Sequence, residues 1–156
     1  YGVSLAEAKA MNDRVSRIAA QEGLEYRLDE VRYGNTFDAH RLIHLAAAHG
    51  VQSRMKERLL AAYFTEGLAL GDANTLVELA TEVDLDAPEA AAMLAGDAYA
   101  NAVLTDAARA QDLGIRGVPF FLFDEKAAVS GAQPVEAFVQ ALEQVWSESQ
   151  GTKAGK

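Results

Sequence analysis

One stretch of the sequence departs from an otherwise helical pattern: Gly114-Ile115-Arg116-Gly117-Val118-Pro119-Phe120-Phe121-Leu122-Phe123. Its last four residues form an apolar run that contains three β-favouring phenylalanines. A proline directly before such a run is tolerated at a strand start, at an edge or at a bulge. We therefore predict that Pro119 opens a short strand over Phe120–Phe123.

The residues after this strand predict a second strand and a helix. Ala127–Ser130 is a short strand candidate, and the polar turn Asp124–Lys126 separates it from the first strand. A helix is predicted from Val135 to about Glu148. Its apolar spacing predicts five buried side chains: Phe138, Val139, Leu142, Val145 and Trp146. The predicted unit is therefore β-turn-β-α, followed by a disordered tail at residues 150–156.

The residues before the stretch have helical patterns. Ser4 and Glu7 have the spacing of a capping box, and the helix that they begin is predicted to end near Glu22. Met11, Val15 and Ile18 follow at helical spacing and are expected to face the core. Further helices are predicted to begin at Asn35 or Thr36, at Gln52, after Asp72 or Asn74, after Asp86 and at Asp97.

Composition limits the possible functions. The 156 residues include no cysteine, which excludes a disulfide framework, a thiolate metal site and a cysteine nucleophile within this chain. The net charge of -9 argues against nucleic acid as the partner, because binding of a phosphate backbone draws on clustered lysine and arginine. No apolar run approaches the length of a membrane span, and no signal-peptide pattern is present, so we predict a cytoplasmic location and no membrane partner.

The pattern changes near Leu113, from helices before it to a hairpin and a helix after it. The predicted fold class is mainly α with a small β hairpin. Two strands and one helix are not stable alone and need further partners. We therefore predict a helical domain at residues 1–113 and a ββα unit at residues 114–149.

Four segments carry a family resemblance: YGNTFDAHRL at 33–42, LLAAYFTEG at 59–67, GIRGVPFFLF at 114–123 and AVSGAQPVEAF at 128–138. In this order they resemble the DsbA-like branch of the thioredoxin superfamily, and within it the FrnE-like oxidoreductases. The resemblance implies a thioredoxin fold interrupted by an α-helical insertion domain, with the ββα unit as its C-terminal half.

The resemblance also implies that a preceding β-α-β half carries the C-x-x-C dithiol of redox-active family members. The chain begins with Tyr1 rather than methionine, so we expect it to be a fragment with its cysteines upstream. The 156 residues alone are then predicted to be inactive in thiol-disulfide exchange. The edge of Phe120–Phe123 is predicted to lack a partner and to support self-association.

Five substrate-binding residues follow from the resemblance. It implies a cis bond between Val118 and Pro119, where the backbone of Val118 pairs with an extended substrate. It also places Asn35, Thr36 and His40 near the active-site groove. From the residues alone, Asn35 or Thr36 is a helix cap and His40 is a surface or hydrogen-bonded core histidine.

A metal site is not predicted. His40 and His44 lie four residues apart, but no third ligand follows at a matching spacing. Tyr63 and Phe64 are interpreted as core residues of the helical bundle, with lining of the groove as the alternative.

The resemblance implies a thiol-disulfide oxidoreductase that acts on a disulfide-containing protein or a small thiol, without a cofactor. One alternative is a glutathione-dependent isomerase or transferase similar to the 2-hydroxychromene-2-carboxylate isomerases, in which serine replaces the first cysteine and glutathione is the cofactor. Another is a non-catalytic helical binding module.

Overall fold

A computed structural model describes residue 2 and residues 4–153, with side chains up to residue 150. This part of the chain is mainly helical and contains one two-stranded antiparallel sheet, so the predicted fold class is confirmed. The elements are α1 (Leu5–Gln21), α2 (Phe37–Ala48), α3 (Gln52–Phe64), α4 (Ala73–Thr81), α5 (Ala87–Ala95), α6 (Ala100–Asp112), β1 (Phe120–Phe123), β2 (Ala127–Ser130) and α7 (Val135–Lys153). No helix in this part of the chain has both the length and the apolar character needed to cross a bilayer.

Side-chain caps begin three of the helices as the sequence predicts. At α1, the Ser4 hydroxyl accepts from the Glu7 N–H at 3.3 Å, and the Glu7 carboxylate accepts from the Ser4 N–H at 2.8 Å. The Asp72 carboxylate accepts from the Thr75 N–H at 2.8 Å and begins α4. Asp86 caps α5 in the same way. Each cap satisfies N–H groups that the first helical turn leaves without a partner.

The chain divides into two compact units, residues 1–105 and 106–156. The core of the first unit lies among α2, α3, α4 and α5, and its largest fully buried side chains are Leu42, Met55, Leu76 and Leu79. The division falls within α6, upstream of Leu113. The assignment of residues 1–113 to an insertion domain stays a prediction.

A non-helical connector between α1 and α2 is fixed to the end of α3. The Arg27 N–H donates to the Phe64 carbonyl at 2.7 Å, and the Thr65 hydroxyl donates to the Glu25 carbonyl at 2.7 Å. The Tyr26 ring stacks on Phe64 with centroids 4.6 Å apart. The connector is therefore part of the packed first unit and not a free linker.

The predicted buried face of α1 is exposed. Met11, Val15 and Ile18 are 61%, 46% and 51% exposed, and Ala19 is the buried residue of this helix. Helical periodicity identifies the apolar face correctly, but it cannot supply a surface for that face to pack on. Within the described residues, α1 packs against no other helix or strand.

The second unit contains the predicted β-turn-β-α arrangement. β1 and β2 pair antiparallel, with Phe120 opposite Ser130 and Phe123 opposite Ala127. α7 packs on both strands, where the Phe138 ring meets the edge of Phe121 at 4.9 Å. Both strands and their turn are therefore placed as the sequence predicts.

Two predictions about α7 are wrong. Val145 is buried, but Val139, Leu142 and Trp146 are 45%, 51% and 68% exposed, since two short strands cover only part of the helix. The helix also continues to Lys153, so the predicted disordered tail at 150–156 begins inside it. A glycine in a helix costs about 1 kcal/mol relative to alanine, which does not by itself end a helix at Gly151. Residues 154–156 lie outside the described part.

A charged cluster on the first unit joins α3 to the end of α4. The Arg58 guanidinium donates to Glu82 at 2.6 Å and to both oxygens of Glu66 at 2.9 and 2.8 Å. Its side chain is only 19% exposed. The hydrogen bond from Arg58 lowers the pKa of Glu82 below its ordinary value of 4.5.

This cluster is expected to make stability depend on acid pH. Because the pKa of Glu82 is depressed in the folded state, its contribution is present above pH 4.5 and is lost as pH falls through the folded pKa. Arg58→Met is expected to lower the free energy of unfolding by about 1 kcal/mol at pH 7, a value discounted for the exposure of the carboxylates. Urea unfolding of the wild type and of Arg58→Met at pH 7, 4.5 and 3 measures this difference in the free energy of unfolding. A difference between wild type and variant that does not shrink below pH 4.5 would contradict the assignment.

Candidate functional site

An apolar cavity of about 240 Å³ opens between α2 and α3. Its inner wall includes Leu59 and Leu70, which are both buried, and the half-buried Ile43 and Tyr63. These side chains are held by the bundle core, against which Ile43 and Tyr63 pack. The inner part of the cavity is therefore a rigid apolar surface.

The mouth of the cavity carries the polar groups. Thr36, His40, Lys56 and Leu60 line it, and all four are exposed. The Lys56 side chain is 59% exposed, so its methylene stem lines the cavity while its ammonium reaches water. The Lys56 ammonium lies 3.8 Å from the Glu57 carboxylate, which is itself 73% exposed. Among the described residues, no carboxylate lines the cavity.

Tyr63 contributes a protonated phenol to this wall. Burial, and then the neighbouring Tyr33, raise the pKa of Tyr63 above its ordinary value of 10.0. The Tyr63 ring also meets Phe64 edge-on at 5.0 Å. Tyr63 therefore stays uncharged at neutral pH and keeps its O–H as a donor.

Three predicted site residues lie at the start of α2, and the structure brings two of them together. Thr36 and His40 both line the cavity mouth, and Thr36 makes no side-chain cap hydrogen bond. Asn35 is not among the lining residues, and its side-chain oxygen accepts from the Phe37 N–H at 2.9 Å. Asn35 thus acts as a cap, as the residues alone suggest, and its role in substrate binding stays a prediction.

Sequence reasoning missed most of the cavity, although a signal is present. Lys56, Leu60 and Tyr63 recur at helical spacing along α3, as Thr36, His40 and Ile43 do at the start of α2. The sequence pattern favours Tyr63 as a bundle-core residue, with groove lining as the alternative, and it puts Lys56 on the polar side of α3. The same helical spacing on α2 and α3 could have indicated which side chains share a face of each helix. It could not have indicated that the two faces enclose a cavity.

The other two predicted residues belong to the second unit. The Val118–Pro119 peptide bond is cis. Val118 is 91% exposed, and the Pro119 carbonyl accepts from the Gly131 N–H at 2.8 Å. This hydrogen bond joins the segment before β1 to the end of β2, so the backbone at Val118 is presented at the start of an ordered hairpin.

His40 and His44, the two histidines at a possible metal-ligand spacing, have different surroundings. His40 lies at the cavity mouth, whereas the His44 ring stacks on Tyr99 with centroids 6.3 Å apart. In the described part of the chain, no group of three or more histidine, cysteine or acidic residues could hold a metal ion.

Comparison with known proteins identifies the family. Residues 3–143 match the family model of the DSBA-like thioredoxin domain. The chain belongs to this family. A search of curated protein sequences found no match.

A solved structure agrees with this DsbA-like assignment. The chain is similar to the crystal structure of a probable DsbA oxidoreductase from Streptomyces coelicolor, with 44% sequence identity and a TM-score of 0.89. The similarity covers 95% of this chain and 64% of the Streptomyces chain. The present chain therefore spans just under two thirds of the length of this DsbA-like neighbour.

Proposed function

We propose that the protein is a thiol-disulfide oxidoreductase. The observation that carries this proposal is the 44% identity and TM-score of 0.89 with a structure described as a probable DsbA oxidoreductase. Within the DsbA-like family we place the chain in the FrnE-like branch, on the segments 33–42, 59–67, 114–123 and 128–138.

The proposed chemistry needs two thiols that these 156 residues do not contain. We propose that residues upstream of this sequence supply them. One enzyme thiolate attacks a substrate disulfide, forms a mixed disulfide and releases a substrate thiolate, which takes up a proton. The second enzyme thiol loses its proton and attacks the enzyme sulfur of the mixed disulfide, which expels the second substrate thiolate, and that thiolate takes up a proton. The enzyme dithiol is thereby oxidised to a disulfide, and the substrate disulfide is reduced to two thiols.

This chain is proposed to contribute substrate binding. The backbone N–H and C=O of Val118 pair with an extended substrate, which the 91% exposure of Val118 permits. Pro119 fixes the position of that segment at the start of β1. Thr36 and His40 contact substrate from the cavity mouth, and Asn35 binds substrate next to them, while its side-chain oxygen accepts from the Phe37 N–H at the start of α2.

The test compares the product of the complete gene with the 156-residue chain in insulin disulfide reduction. The complete product is expected to accelerate reduction, and replacement of its first active-site cysteine by serine should abolish that activity. The chain alone should not exceed the uncatalysed rate, because it has no thiol. Glutathione-dependent isomerase activity without disulfide reduction would overturn the proposal in favour of the isomerase alternative, and peptide binding without either reaction would favour a binding module.

We also propose that the chain self-associates through the edge of β1. Within the described residues the sheet has two strands, so one edge of β1 has no partner strand, and Phe121 is 39% exposed. An exposed apolar edge favours pairing with another chain. Light scattering over a range of concentrations is expected to show a dimer whose population rises with concentration. A monomer at all concentrations would contradict this proposal.

A further inference from the structure

We propose that the cavity between α2 and α3 binds a small apolar carboxylate, with the hydrocarbon part inside and the carboxylate beside Lys56. This inference rests on the proposed function only in assigning Thr36 and His40 to ligand binding. It adds a chemical class of ligand that disulfide exchange does not itself require.

The size of the cavity limits the ligand. The cavity has a volume of about 240 Å³. Drug-sized ligands use pockets of about 300–1,000 Å³. The cavity therefore suits an aliphatic chain or a single ring, with about 0.8 kcal/mol available for each methylene that leaves water.

The inner wall favours hydrocarbon. Leu59 and Leu70 are only 4% and 8% exposed, and Ile43 packs beside them against the same core. Of the described side chains of this wall, only the Tyr63 hydroxyl could hydrogen-bond a polar group, so a carboxylate placed here would lose most of its hydrogen bonds to water. The polar end of a ligand must therefore lie at the mouth.

The charges at the mouth favour an anion. Lys56 and His40 are the basic groups of the lining, and no described carboxylate lines the cavity, although the whole chain has a net charge of -9. Glu57 lies 3.8 Å from the Lys56 ammonium but is 73% exposed, so a ligand carboxylate at the mouth can share Lys56 with it. The Thr36 hydroxyl, which makes no cap hydrogen bond, adds a donor to the lining. An amine at the same place would meet like charge and an alcohol would gain no charge interaction.

Isothermal titration of the 156-residue chain with octanoate tests the inference, with octan-1-ol and octylamine as matched probes. Octanoate is expected to bind most tightly. Lys56→Gln should weaken octanoate about tenfold and leave octanol unchanged, because it removes one charge-assisted contact and keeps an uncharged polar side chain at this position. Lys126→Gln, in the second unit and paired with Asp124, should change neither affinity.

A filling variant tests the place of binding. Ile43→Phe adds volume to the inner wall and is expected to abolish binding of both octanoate and octanol, while circular dichroism confirms that the helices remain. Three results would overturn the inference: no octanoate binding to the wild type, equal affinity for octanoate and octanol, or octanoate binding that Lys56→Gln does not weaken. All three results are binding measurements on the 156-residue chain, which has no thiol. A failure of octanoate binding is therefore distinguishable from a failure of disulfide exchange in the complete gene product.

Discussion

Gly67→Ala is expected to lower the free energy of unfolding of the chain by about 3 kcal/mol. Gly67 follows α3 with φ of +64°, a conformation that costs a residue with a side chain about 1–2 kcal/mol. A Cβ at this position would also lie 2.9 Å from the Glu30 carbonyl oxygen, so the connector would have to move away from the end of α3. Crowding of this kind adds about 1–3 kcal/mol. Urea unfolding monitored by circular dichroism measures the loss.

Gly50→Ala is the matched control. Gly50 has φ of +72°, but no atom lies within 4 Å of the position that a Cβ would take. This variant should therefore show the conformational cost alone, about 1–2 kcal/mol. Equal losses for the two variants would mean that the close approach of the connector to Gly67 does not stabilise the fold.

Arg41→Met is expected to cost about 3 kcal/mol, because it removes a buried guanidinium that joins α2 to the end of α5. Arg41 is 4% exposed and donates to the carbonyls of Gly96 at 2.7 Å and of Ala98 at 2.8 Å. It also donates to the Met93 carbonyl in the last turn of α5, where carbonyls have no partner within the helix. Asp38 accepts from the same guanidinium at 2.7 Å and compensates its charge.

Arg54→Met provides the comparison for this prediction. Arg54 pairs with Asp84 at 2.9 Å, but the two side chains are 54% and 78% exposed. Exposed pairs of this kind contribute about 0–1 kcal/mol, so this variant should unfold at nearly the wild-type urea concentration. A loss for Arg41→Met no larger than that for Arg54→Met would show that the Arg41 contacts do not hold α5 in place.

Secondary structure could be predicted from the sequence because local signals determine it. The capping residues Ser4, Asp72 and Asp86 begin their helices as predicted, and Pro119 precedes β1. Burial could be predicted only in part, since periodicity identifies an apolar face but not its partner. For this reason burial was predicted for apolar side chains of α1 and α7 that are exposed in the structure.

The tertiary contacts could not be predicted, because they join residues far apart in the chain. Arg41 lies within a segment used for the family resemblance, yet nothing local indicates that it is buried against carbonyls more than fifty residues away. Gly67 ends a predicted helix, but its approach to Glu30 depends on the path of the connector. The resemblance predicts that Thr36 and His40 bind substrate, and that role stays a prediction. Lys56 lines the same cavity because α2 and α3 lie side by side, which no local pattern determines.

The proposed thiol-disulfide exchange passes through a mixed disulfide, which a cysteine-to-serine variant can trap. The complete gene product, with the second cysteine of its dithiol replaced by serine, is incubated with a disulfide-bonded peptide and analysed by intact-mass spectrometry. For a peptide whose disulfide is intramolecular, we expect a covalent adduct heavier than the protein by the full mass of the oxidised peptide, and dithiothreitol should remove it. A complete gene product that carries no dithiol, or that forms no adduct, would contradict the proposed exchange.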